Sequence, residues 1–160
     1  MRRKDREISD MKKIVDEVID KADVIRIGLA DGDYPYIVPL NYAYTFEDDH
    51  LEFYVHGAAA GRKMDLLRKN PVCSFEIDTD HQPVFIPEKG YATMNYKSAM
   101  GRGKIEEIED EHEKEKMLVE IVRRYNPPEG FRFDRRSLPV TEVMKITVTS
   151  ITGKANRKKV

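Results

Sequence analysis

The chain has no tryptophan and one cysteine, Cys73, among its 160 residues. A single thiol excludes an internal disulfide and offers no zinc ligand set. Cys73 lies in the apolar stretch 72–77 and reads as a buried side chain rather than a nucleophile. No apolar run approaches the roughly 20 residues of a membrane-spanning helix, so no membrane partner is expected. Nothing near the start resembles a signal peptide's apolar core, which makes a cytoplasmic protein the default expectation. An excess of one charge is also missing. The 28 Lys and Arg against 29 Asp and Glu leave a net charge of −1, so no basic field argues for a nucleic-acid partner. The ends MRRKDR and KANRKK are locally basic and read as solvated tails, 1–8 and 154–160. No GxSxG or Walker-type loop occurs. His50, His81 and His112 fall in a turn, a loop and an acidic helix without metal-ligand spacing, so no metal site is expected.

What is present describes one heavily charged globular domain spanning 1–160, with 40% apolar and 36% charged residues and length enough for a real core. Met11, Ile14, Val15, Val18 and Ile19 share one helical face over 10–20, with Ser9 as cap. Strands are expected at 24–30, 36–46, 51–55, 72–77, 91–107 and 141–151. Gly101 and Gly103 mark bends in the long one. The segment 81–90, with two prolines and no periodicity, reads as a loop. A helix at 62–69 ends at Asn70-Pro71. Another opens on the pair Asp110 and Glu113 and carries the stripe Met117, Leu118, Ile121, Val122 and Tyr125. Six or seven strands joined mostly by short turns, with few helices, point to a mainly β fold: an antiparallel barrel with flanking α-helices.

One stretch carries chemistry. In FYVHGAAAGRKMDLLRKNP, Phe53–Pro71, a strand passes through His56 and five small residues to Arg62 and Lys63 at a helix start. Cations there oppose the positive end of the helix dipole, at about 0.3–1 kcal/mol when exposed. An anion at that corner would reverse the sign, meeting free N–H groups, the dipole and two side-chain charges. A phosphate-binding corner and an ordinary connecting turn are both compatible with these residues.

The order of MRRKDREI, YPYIVPLNYAY, LEFYVHGAAAGRKMDLLRKNP, YKSAMGRGKIEEIEDEHEK and SITGK resembles the flavin-binding split-barrel proteins related to pyridoxamine 5′-phosphate oxidase. The branch it resembles most is that of the 5-nitroimidazole resistance proteins. The resemblance implies an FMN-binding split barrel that forms a homodimer with FMN at the subunit interface. It implies that Arg62 and Lys63 grip the phosphate and that backbone of the strand matching 36–41, namely Val38, Pro39, Leu40 and Asn41, runs along the flavin ring. Tyr54 and His56 would lie at the rim, and Tyr96, Ser98 and Met100 would come from the second subunit. His56 is the catalytic candidate, a neutral imidazole able to donate a proton to an acceptor that has just received a hydride. The activity implied is reduction of a small aromatic or nitro-type acceptor, with NAD(P)H as a possible donor. The alternative is a flavin- or haem-binding protein without turnover. Pyridoxamine phosphate oxidation itself is not carried over: the chain lacks tryptophan and ends in SITGKANRKKV. Lys154 matches a family position near the flavin or its phosphate, and 79–90 matches no family motif.

Overall fold

The computed structural model describes residues 4–158. Eight strands form one antiparallel sheet: β1 (Glu7–Ile8), β2 (Ile25–Asp31), β3 (Tyr34–Leu40), β4 (Tyr42–Glu47), β5 (His50–Ala58), β6 (Val72–Ile86), β7 (Tyr91–Glu107) and β8 (Thr141–Asn156). Their spatial order is β3-β2-β6-β7-β8-β5-β4, with β1 added to β8. The helices are α1 (Met11–Ile14, continued by a π-helical turn Val15–Ile19), α2 (Arg62–Lys69) and α3 (Glu111–Arg124). This is the expected split barrel. None of these helices is long and apolar enough to cross a membrane.

Alternation builds the core. On β2, Ile25, Ile27 and Leu29 turn inward and Arg26 outward, the period-2 pattern of a half-buried strand. They meet Phe53 and Val55 of β5, Ile77 of β6 and Met144 and Ile146 of β8. Phe53 sits between Tyr42 and Phe75 in edge-to-face contacts, centroids 5.5 and 5.3 Å apart. A second cluster lies outside the sheet, where Met117, Leu118 and Ile121 of α3 cover Ala43, Tyr54 and Val143.

Several expectations are corrected. Tyr36–Phe46 is two strands, because the chain crosses from one end of the sheet to the other at Asn41: Leu40 pairs with Ile25 on β2, and Tyr42 with Val55 on β5. The cap of α1 is Asp10, whose carboxylate accepts from the Lys13 N–H at 2.8 Å, rather than Ser9. Residues 81–90 are largely not a loop. β6 continues to Ile86 through a bulge between Thr79 and Gln82, and Pro83 pairs with Met94 of β7. A two-stranded ribbon has open edges, where proline is tolerated. The basic ends are partly built in, since Glu7 and Ile8 pair with Lys154 and Gly153; residues 1–3 and 159–160 of those expected tails lie outside the described residues.

Arg124 joins the two helical sides. Its Nη2 donates to the carbonyls of Ile19 and Ala22 and to the Tyr42 hydroxyl at 3.1 Å, and its guanidinium stacks 4.5 Å from the Tyr42 ring centroid. Arg124→Ala removes a stacked cation and a buried donor at once, with an expected loss of about 2–3 kcal/mol. A urea midpoint that falls accordingly, with an unchanged slope, checks this.

Candidate functional site

The small-residue segment after β5 is pinned from two sides. The Ala59 N–H donates to the Val140 carbonyl at 3.2 Å. Arg68 of α2 reaches the Ala59 carbonyl at 3.5 Å while holding Glu107 through two bonds of 2.9 and 2.8 Å. Gly61, at φ 110°, lets the chain swing into α2 and offers its carbonyl to the Met64 N–H; that φ is left-handed territory where only glycine is unstrained. The N–H groups of Arg62 and Lys63 then have no backbone acceptor among the described residues, as the first turn of any helix dictates.

Arg62 and Lys63 differ in kind. Arg62 is exposed, and its guanidinium forks onto the Asp31 carboxylate at the end of β2. Lys63 is half-buried and has no ion pair among the described residues. Its ammonium crosses β5 over Gly57, where any Cβ would occupy its place. Burial pulls its pKa below the usual 10.5, with Glu142 pulling the other way. Glu142 is itself committed to Lys114 at 3.0 Å. Lys63 is thus a desolvated cation without a contact anion, beside two free N–H groups.

His56 neighbours Gly57 on β5 and lies opposite Val143. Its Nδ1 is buried and has no hydrogen-bond partner among the described residues. Burial first, and then the Lys63 charge, hold its pKa below 6.5, so it is neutral at neutral pH. A histidine depressed on folding takes up its proton more readily unfolded. The stability it contributes is therefore full above 6.5 and is lost as pH falls through the folded value. The thermal midpoint should consequently drop more steeply between about pH 7.5 and 5.5 in wild type than in His56→Gln.

β3 supplies a backbone edge to the same region. It ends the sheet and, among the described residues, pairs only with β2, so the outer edge of Val38, Pro39 and Leu40 has no ladder partner; Asn41 lies between β3 and β4. Tyr36 stands within electrostatic range of Arg62. The Asn41 side chain is engaged, donating to the Asp23 carbonyl at 3.3 Å. Tyr54 is also engaged: its ring packs under α3, its hydroxyl donates to Glu52 at 2.8 Å, and it lines a cavity of about 710 Å³ with Tyr44 and Arg124.

Tyr96, Ser98 and Met100 stand apart. They share one face of β7 and pair with Asn156, Lys154 and Thr152 of β8, whereas His56 pairs with Val143 at that strand's other end. At about 3.3 Å per residue, the two groups are separated by roughly 30–40 Å along the strand. Met100 is 58% exposed and borders a second hollow of about 710 Å³ with Ile37, itself 62% exposed, Gly28 and Ser74. Asp31 and Glu142 carry no site signal in the sequence. Gly57 belongs to the small-residue run, whose close backbone approach the passage of Lys63 uses. Among the described residues, no three His, Cys, Asp or Glu side chains gather as metal ligands.

Residues 12–155 match the family model described as pyridoxamine 5′-phosphate oxidase. No curated protein sequence matches significantly. Among solved structures, the chain is similar to a candidate 5-nitroimidazole antibiotic resistance protein from Bacteroides thetaiotaomicron, with 30% identity over 94% of this chain and 90% of that one and a TM-score of 0.76. The flavocytochrome Anf3 from Azotobacter vinelandii (19% identity, 99% and 72% coverage, TM-score 0.80) and the FAD and heme binding protein from Mycobacterium smegmatis (16%, 96% and 74%, TM-score 0.80) share the fold.

Proposed function

The chain belongs to the pyridoxamine 5′-phosphate oxidase family, which contains flavin-dependent oxidoreductases, and from that premise we propose that it is an FMN-dependent reductase of small aromatic or nitro-type acceptors. The observation that carries this reading is Lys63: a half-buried cation with no contact anion, next to free N–H groups at the head of α2. A phosphate monoester supplies the missing charge and accepts from both. Arg62 contributes long-range charge while staying paired with Asp31. The unpaired edge of β3 offers backbone groups to a planar ring.

Bound FMN supplies the hydride and electron chemistry, and the protein supplies position and proton control. His56 fits the second task. It is neutral, so a ring N–H can donate a hydrogen bond to the negative charge that develops on a reduced acceptor, while solvent supplies the proton.

The separation along β8 favours a homodimer. His56 and Lys63 lie far along β8 from Tyr96, Ser98 and Met100 of their own chain, and a second copy laid on the exposed Met100–Ile37 face would bring the two groups to one cofactor. A neutral imidazole is also the form that ligates haem iron, and absorbance separates that reading, since haem and flavin spectra differ. Turnover is tested by mixing flavin-loaded protein anaerobically with NADPH or NADH and then with a 5-nitroimidazole. Bleaching followed by reoxidation supports the reductase; flavin that neither donor bleaches argues for a binding protein.

A further inference from the structure

The cavity of about 710 Å³ that Tyr44 and Arg124 share lies between α3, residues 20–23 and β4. β4 stands at the other end of the strand order from β3 and, among the described residues, pairs only with β5. Its outer edge therefore runs open along this wall. The Tyr42 N–H, on that edge, is met by the Tyr125 hydroxyl at 3.0 Å. In an antiparallel pair the backbone groups of every second residue turn the same way, so those of Tyr44 face outward as well. They take no backbone partner among the described residues.

The charged groups on the wall are unevenly matched. Lys21 is paired with Asp20 at 2.9 Å and Arg123 with Glu120 at 2.8 Å, and the Tyr44 hydroxyl donates to Asp20 at 3.2 Å. Arg124 spends its Nη2 on the Ile19 and Ala22 carbonyls and the Tyr42 hydroxyl, but its Nε is buried without an acceptor among the described residues. Lys116 and Asp23 are exposed at the rim, and neither has an ion pair among the described residues. The lining thus holds four cations and three carboxylates, one positive charge in excess. Ala22, Ala43 and Met117 add buried apolar surface to the same wall. A few polar groups around an apolar floor, at this volume, describe a small-molecule site.

We infer that this cavity binds a small aromatic monocarboxylate, with its ring against Tyr44 and Met117 and its carboxylate toward Lys116 and Arg124. A phosphoryl dianion fits less well, because one excess charge cannot balance two and three carboxylates share the wall. The site goes beyond the flavin reading and does not rest on it. His56, Arg62 and Lys63 do not line the cavity. Of the residues that the resemblance gives to the flavin, Tyr54 alone borders it, and its hydroxyl is already held by Glu52.

The test is titration of the full-length protein, saturated beforehand with FMN, with benzoate, followed through amide chemical shifts at about 0.15 M salt. Benzoate should shift the amides of Tyr44, Thr45 and 116–124 saturably. Benzamide, of the same shape without the charge, should bind about tenfold more weakly. Lys116→Gln should weaken benzoate about threefold, the worth of one exposed charge pair. Thr45→Trp, which fills the cavity from an exposed position on the edge strand, should abolish binding. Neither residue is in the core, so unchanged melting curves certify both variants. The inference is overturned if benzoate gives no saturable shift, if the shifts centre on 56–63 instead, if benzamide binds as well as benzoate, or if both variants bind as wild type does. Should the protein hold no FMN, the same titration without it still decides the matter, so the two readings fail separately.

Discussion

Lys63→Ala should release the flavin while leaving the fold as stable as before, or slightly more so. A charge-assisted hydrogen bond is worth about 1.5–3 kcal/mol, so the dissociation constant for FMN should rise roughly 10- to 150-fold. The stability side follows from the direction of the pKa. Burial holds the Lys63 ammonium below its usual value, so the unfolded chain binds that proton more readily, and at neutral pH the buried charge opposes folding. Removing it lifts that opposition. Arg62→Ala makes the contrasting case: it breaks an exposed pair with Asp31, worth about 0–1 kcal/mol, and costs less flavin affinity. Fluorescence titration of FMN against both variants, with melting curves of the flavin-free proteins, separates a cofactor contact from a structural one. A Lys63→Ala protein that binds FMN like wild type would remove the phosphate from this corner.

Met100→Glu should convert the proposed dimer to a monomer and lose the cofactor with it. Met100 is 58% exposed and pairs across the sheet with Glu76, so a carboxylate there sits beside another carboxylate. In a lone chain this is a surface change within about 0.5 kcal/mol. Buried against a second copy, an unpaired charge costs several kcal/mol, and about 3 kcal/mol is already a hundredfold weaker association. If each cofactor needs both subunits, the loss of association is also a loss of flavin. Light scattering and the flavin-to-protein ratio measured on one sample check both halves. A monomeric variant that keeps its flavin would show that one chain suffices.

Local chemistry was legible where residues punctuate themselves. The helix over 62–69 and the long strand over 91–107 stand where the sequence places them, because Asn70-Pro71 ends one and the branched and aromatic residues of 91–96 begin the other. Asp110 caps α3 by accepting from the Glu113 N–H at 2.7 Å. The ribbon at 81–95 was hidden because proline and low periodicity describe an open-edged hairpin as well as a loop. The break at Asn41 was hidden because strand-forming residues run across it, and only the pairing partners reveal the switch. At the site, the cation pair and His56 were visible as a motif, but their inequality was not. Asp31 lies far from Arg62 in sequence, and the passage of Lys63 over Gly57 is a tertiary contact. Sequence likewise placed Lys154 in a tail, whereas two-residue β1 locks it into the sheet beside Tyr96.

The most direct measurement is the absorbance spectrum of the purified protein, taken as isolated and again after adding FMN and desalting. The account predicts retained flavin bands that denaturation releases as free FMN. A protein that is colourless, fails to hold added FMN, or shows a haem Soret band in place of flavin would contradict it.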